Sequence, residues 1–204
     1  MPTRRHALAL GAAFIALPAL GLARDNPMPE ALREALERDP NAPVLGNPEG
    51  DITLTQFFDY NCPFCRQLMP EIPRLIAADP GLRIVFREWP VFGEGSEFAA
   101  RAALATLDQG KYWPMHAGLM GLKNRAAEPT VLRVAEAQGI DLGRMRTEME
   151  AERVAAHIAR SHELADHMGL VGTPTLIAGD EGHFGRASLE ELQAMIARAR
   201  ETLG

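Results

Sequence analysis

The stretch FDYNCPFCRQLMPEI, residues 57–71, holds the only two cysteines of this 204-residue chain, three positions apart. Such a pair can be half of a metal site, a covalent staple, or a couple that cycles between dithiol and disulfide. Structural zinc needs four ligands, and Cys62 and Cys65 supply two. His157, His162 and His167 fall in one long helical pattern. Five residues advance a helix by about 500°, so successive members lie about 140° apart and share no face. No metal site is expected. As a staple the pair would do little, because closing so short a loop removes almost no freedom from the unfolded chain. Redox cycling fits the spacing. Cys62 at a helix start meets unsatisfied N–H groups and the positive end of the helix dipole, which favour a thiolate. Cys65, one turn further in, is placed to attack a mixed disulfide formed on Cys62. Cys62 is therefore expected to be an exposed nucleophile and Cys65 the resolving thiol.

The elements that must hold this pair can be read on either side of it. DITLTQFF, residues 51–58, has strand character and runs directly into the cysteines. A helix is expected from about Cys62, with Pro63 in its first turn, where a missing N–H costs nothing, and with Pro70 and Pro73 kinking or interrupting it. LRIVFREW, residues 82–89, is the next strand, so the pair sits where the first strand of a βαβ unit meets its helix. Residues 95–168 read as a series of helices. TPTLIAG (173–179) and GHFGR (182–186) then form strands around a GDEG turn. The last segment is a helix opened by a capping box, Ser188 with Glu191. Upstream, Met28, Leu32 and Leu36 make one face of a short helix, expected to dock on its own domain.

Residues 1–23 differ in kind: two arginines, an apolar run from Ala7 to Leu22, and a small-residue GLA end. That is the pattern of an export signal cut after Ala23, and the run is shorter than the ~20 residues that span a bilayer. Its removal takes two of the 21 basic residues and none of the 27 acidic ones, moving the net charge from −6 to −8. A chain this acidic has no electrostatic pull toward nucleic acid or anionic lipid. The destination is an oxidising compartment, the periplasm for a Gram-negative source.

Taken together, FFDYNCPFC, the Gly-Thr-Pro-Thr run at 172–175 and the helical segment between them resemble the DsbA-like thiol:disulfide oxidoreductases. The resemblance implies an α/β protein, a thioredoxin fold with an inserted helical domain. It divides the chain into the signal (1–23), an N-terminal helix and linker (24–47), a first thioredoxin-like half with the CxxC pair (48–94), the helical insertion (95–168) and a second half, ββα (169–204). It also implies a cis Thr-Pro bond against the cysteines, with Thr173 and Pro174 presenting backbone to a substrate strand. Two positions depart from the family. Phe64, within the Pro63-Phe64 dipeptide that tunes Cys62, offers no hydrogen bond to a thiolate. Gln56 stands where relatives commonly carry a buried Glu, and it cannot exchange protons at neutral pH. Asp59 is a candidate substitute, although a solvent-facing or turn carboxylate is the plainer reading.

The expected function is oxidation of cysteine-containing or unfolded exported proteins, with a membrane partner reoxidising the pair and no cofactor. A monomer is expected. The rivals are an isomerase or reductase on the same fold, a chaperone with incidental cysteines, and a glutaredoxin, against which the signal and long insertion argue. His116 is expected to pack within a helix. Trp89, Phe92, Met115 and Met120 are expected in the core rather than in an apolar groove.

Overall fold

The computed structural model describes residues 27–203; the expected export signal lies outside them. Five strands, β1 (Val44–Gly46), β2 (Ile52–Phe58), β3 (Leu82–Glu88), β4 (Thr175–Ala178) and β5 (Glu181–Phe184), form one sheet in the order β1-β3-β2-β4-β5. β2 runs parallel to β3 and antiparallel to β4, and all seven of its residues are buried. Strand alternation sends Ile52, Leu54 and Phe58 into a core with Cys62, Cys65, Ile84 and Phe86, while Phe57 joins Leu36, Trp89, Leu164 and Ile177 on the other face.

Nine α-helices are described. α1 (Glu30–Glu37) precedes the sheet, α2 (Pro63–Leu68) and α3 (Glu71–Ala78) cross from β2 to β3, and α9 (Leu189–Leu203) ends the chain. Between β3 and β4 run α4 (Glu94–Leu104), α5 (Tyr112–Met120), α6 (Glu128–Ala137), α7 (Leu142–Met149) and α8 (Glu152–His167). This is a thioredoxin fold carrying a helical insertion. Small residues let the inserted helices approach closely: Ala99, Ala100, Ala102 and Ala103 of α4 are buried. A Cβ at Gly118 of α5 would lie 2.6 Å from a methyl group of Val134 on α6.

Local chemistry sets several boundaries. Pro70 lacks the N–H that would continue α2, so the expected helix breaks between Leu68 and Glu71, whereas Pro73 is tolerated in the first turn of α3. The Ser188 hydroxyl accepts from the Glu191 N–H (3.2 Å) and the Glu191 carboxylate from the Ser188 N–H (2.7 Å), completing the capping box. α1 docks on its own domain. Its last carbonyls, those of Ala35 and Leu36, accept from the buried guanidinium of Arg87, and Arg33 reaches Asp180 at 2.7 Å.

Three expectations shift. β1, whose residues read as linker, pairs with β3; three residues with no visible alternation carry no strand signal, and the neighbouring strand supplies the structure. The strand expected at 173–179 is shorter, Thr175–Ala178; Thr173 and Pro174, joined by a cis peptide bond, lie in the loop before it. The strand expected at 182–186 is displaced to Glu181–Phe184, with Gly185 at φ 98° ending it.

Candidate active site

After Phe58 the chain turns on Asp59. Its carboxylate accepts from the Asn61 N–H (2.6 Å) and its carbonyl from the Cys62 N–H (3.1 Å), so the strand ends and α2 begins within four residues. Cys62 is the N-cap of α2, with Pro63 at the first helical position. Its sulfur faces the Cys65 N–H at 3.5 Å and donates to the Thr173 carbonyl at 3.1 Å, so the cysteine helix and the cis-proline loop meet at one atom. Both cysteines are free thiols.

The two sulfurs are chemically unequal. The Cys65 thiol bonded to Cys62 pushes the Cys62 thiol down to about 6 against the opposing effect of burial, and Thr173 and the N–H groups of Cys65 and Phe64 add to the lowering. Cys65 is pushed far up, first by burial and then by the Cys62 sulfur beside it. The Thr173 side chain is buried beside both sulfurs.

One expectation is corrected here: Cys62 is not exposed. The residue is only 1% accessible, because the N-cap geometry turns its sulfur inward against Thr173; solvent meets Phe64 instead, at 54%. Val91, Phe92, Val171 and Phe184 are likewise exposed, the last with its ring against Gly172. Gln56 is buried in β2 between Phe86 and Leu176, on the cysteine-bearing face, and its Oε1 has no partner among the described residues. Asp59 is not solvent-facing. It is 2% exposed and occupied by Asn61, by the N–H groups of Val91 (2.7 Å) and Phe92 (3.1 Å), and by the Ser96 hydroxyl (2.7 Å).

His116 packs among Phe58, Tyr60, Phe86, Tyr112 and Trp113, and burial holds it down to about 3, a neutral core ring. Trp89, Met115 and Met120 are core residues, whereas Phe92 is 43% exposed. His157 is buried, with Nε2 2.7 Å from Glu88, while His167 is exposed. Among the described residues no group of three or more His, Cys, Asp or Glu side chains is arranged to hold a metal ion.

Sequence reading missed Asn61 and Arg66. Asn61 accepts from the Ala126 N–H (2.7 Å) and donates to Ser96 (3.0 Å) and the Ala126 carbonyl (3.1 Å). Arg66 donates to the carbonyls of Tyr60 (2.8 Å), Leu122 (2.8 Å) and Asn124 (3.0 Å). Only adjacency to the cysteines could have pointed to them, since their partners Leu122, Asn124 and Ala126 lie more than 50 residues away.

A thioredoxin fold with two free thiols of opposed acidity at a helix start defines a thiol:disulfide oxidoreductase. Residues 53–197 match the model of the DSBA-like thioredoxin domain, and the chain belongs to that family. It is similar to a thioredoxin-like oxidoreductase from Silicibacter pomeroyi DSS-3, with 51% identity and a TM-score of 0.81 over 83% of this chain and 98% of that one. It also resembles the thiol-disulfide exchange protein α-DsbA2 of Wolbachia pipientis, with 27% identity and a TM-score of 0.77 over 83% and 92% of the two chains. In sequence it is 32% identical over 158 residues to the Na(+)/H(+) antiporter NhaA 3 of Salinispora tropica, covering 76% of this chain and 24% of that protein. The chain thus spans about a quarter of the length of the curated relatives it first matches. Among the described residues no helix is long and apolar enough to cross a membrane.

Proposed function

We propose that the protein is an exported, periplasmic disulfide donor in which Cys62 exchanges with protein substrates and Cys65 resolves. The observation that carries this reading is the placement of the pair, with Cys62 capping α2 and its sulfur on the Thr173 carbonyl while Cys65 lies fully buried one turn in; the opposed acidity of the two sulfurs agrees with it. A substrate thiolate attacks Cys62 of the Cys62–Cys65 disulfide; the S–S bond breaks and Cys65 leaves, taking up a proton because its thiol is so weak an acid. The substrate's second thiolate then attacks the substrate sulfur of the mixed disulfide and expels Cys62. At about 6, Cys62 leaves and remains as a thiolate at neutral pH. Two electrons pass to the enzyme and one new disulfide forms on the substrate. A membrane partner takes the electrons back.

The cis-proline loop would hold the substrate strand through the backbone of Thr173 and Pro174. Pro63 and Phe64 tune the thiolate, and Gln56 leaves proton movement near Cys65 to water or another group. The exposed Phe64 ring between the cysteines suits contact with unfolded chains. Support for export comes from the sequence of residues 1–23.

Lowering Cys62 from about 9 to about 6 favours the dithiol roughly tenfold at pH 7, or about 30 mV, which moves the couple toward oxidising power. The test is the equilibrium potential in glutathione buffers. A value less negative than about −200 mV supports donation, whereas one near thioredoxin's, about −270 mV, reverses the direction to reduction. Phe64, which offers the thiolate no hydrogen bond, favours the isomerase or reductase alternative on the same fold. Cys62→Ala abolishes exchange under any redox reading, and full retention of activity by that variant leaves only a chaperone.

A further inference from the structure

The residues immediately before and after the CxxC pair bind the same loop, the one between α5 and α6. Arg66 donates from Nη1 to the carbonyls of Leu122 (2.8 Å) and Asn124 (3.0 Å). Asn61 takes the end of that loop. Its Oδ1 accepts from the Ala126 N–H at 2.7 Å and its Nδ2 donates to the Ala126 carbonyl at 3.1 Å, so the amide pairs with both backbone groups of one residue as a neighbouring strand would. Because hydrogen bonds are directional, two of them to one residue fix rotation as well as distance. Nδ2 also donates to the Ser96 hydroxyl (3.0 Å), that hydroxyl donates to Asp59 Oδ1 (2.7 Å), and the same Oδ1 accepts from the Asn61 N–H (2.6 Å). These three bonds close a ring through the first turn of α4 and the residue that follows β2. Ser96 and Ala126 are both buried, so the ring is anchored on packed groups. One peptide unit further on, the Cys62 N–H donates to the Asp59 carbonyl at 3.1 Å.

We propose that Asn61 is a positioning residue of the exchange reaction: its amide, bonded to Ala126 and Ser96, sets the orientation in which the next residue, Cys62, opens α2. The Cys62 backbone, at φ −77° and ψ 118°, turns the sulfur toward the Cys65 N–H (3.5 Å) and the Thr173 carbonyl (3.1 Å). A sulfur at that point meets the unsatisfied N–H groups of the helix start, which stabilise it as a thiolate. With the amide gone, the peptide unit between Asn61 and Cys62 keeps only the bonds within its own turn, and the sulfur spends part of its time away from the helix start. Asn61 carries no charge and acts through Cys62 alone, so this role rests on Cys62 being the sulfur that exchanges with substrate.

The experiment is the pH titration of Cys62 in the reduced full chain, followed by thiolate absorbance and by the rate of alkylation with iodoacetamide. The equilibrium constant against glutathione is measured on the same proteins. Asn61→Ala is compared with the parent and with His157→Gln, which breaks the buried bond to Glu88 and leaves the cysteine turn untouched. Asn61→Ala is expected to raise the Cys62 midpoint by about one unit, the scale of one lost hydrogen bond to a charged group. A midpoint moved up by that much from about 6 makes the disulfide about fivefold easier to form at pH 7. His157→Gln is expected to lower the unfolding temperature and leave the midpoint where it is. An unchanged midpoint in Asn61→Ala overturns the proposal, because the amide then only supports the fold. So does an equal shift in both variants, because the midpoint then follows stability. Should Asn61→Ala not fold, Asn61→Ser, whose shorter side chain cannot span Ala126 and Ser96 together, is read by the same criteria. Alkylation of the parent at Cys65 in preference to Cys62 overturns the underlying assignment of the nucleophile instead, and mapping the modified cysteine separates the two failures.

Discussion

At the scale of single residues, the behaviour of the site depends on how many groups stabilise one sulfur. Cys62 has the Cys65 thiol and N–H, the Phe64 N–H and the region of Thr173 about it, but the side chain between the cysteines contributes nothing, because Phe64 points a phenyl ring into solvent. An imidazole there could donate to the thiolate. Phe64→His is therefore expected to lower the Cys62 midpoint and shift the reduction potential toward more oxidising values by about 30 mV or more, the equivalent of a tenfold change in equilibrium constant. An unchanged potential in glutathione buffers would remove Phe64 from the tuning residues. Gln56 was identifiable by its distance from Cys62 in sequence, yet its most informative property, a buried Oε1 without a partner, appears only once β3 and β4 enclose it.

At the scale of elements, the turn from β2 into α2 does more than start a helix. Asp59 and Asn61 bind the Val91–Phe92 loop, Ser96 of α4 and Ala126, so the cysteine turn is fastened to the helical insertion by side chains next to the cysteines themselves. The contact is tight: a Cβ on Gly95 would lie 2.2 Å from the Ala126 carbonyl. Gly95→Ala, helix-favouring on propensity alone, is expected to destabilise the protein by about 1–3 kcal/mol through overpacking. Urea unfolding measures this, and a stabilised variant would mean that the seam yields without cost. The proline punctuation of α2 and α3 and the capping box of α9 were legible in advance because their causes are local. β1 was not, since three residues ending in a positive-φ glycine become a strand only by pairing with β3.

At the scale of the whole molecule, a buried charge cluster joins the N-terminal segment, the sheet and the insertion. Glu88 at the end of β3 accepts from Tyr112 of α5 (2.6 Å) and pairs with His157 of α8 (2.7 Å); Asp39, after α1, lies 3.5 Å from the other nitrogen of His157 and 2.5 Å from Arg87. Burial opposes the charge on His157, but the bonds to Asp39 and Glu88 outweigh it and raise its affinity for a proton. The folded value thus lies above the unfolded one. The resulting stability is complete below about pH 6.5 and is lost as pH rises through the folded value. Cys62 works in the opposite sense. Its folded value is depressed, so the reduced protein gains stability as pH rises from about 6 toward the unfolded thiol value. Measured in the disulfide form, where Cys62 does not titrate, stability should fall as pH rises above 6.5. His157→Gln should cost roughly 1.5–3 kcal/mol at pH 6 and flatten that slope. An equally steep slope in the variant would assign the effect to another group.

The sequence by itself determined the chemistry and the local frame: a CxxC pair at a strand-to-helix turn, helices with their breaks and caps, and a helical segment between two sets of strands. Each of these depends on neighbours a few residues away, and such signals survive in a linear string. Tertiary structure alone decided that Cys62 is buried, that Asp59 is a structural node rather than a surface carboxylate, that Arg66 reaches the carbonyls of Leu122 and Asn124 over 50 residues distant, and that His157 is locked to Glu88. Burial and charge are properties of what packs around a group. Those neighbours come from loops and helices whose approach no local pattern records.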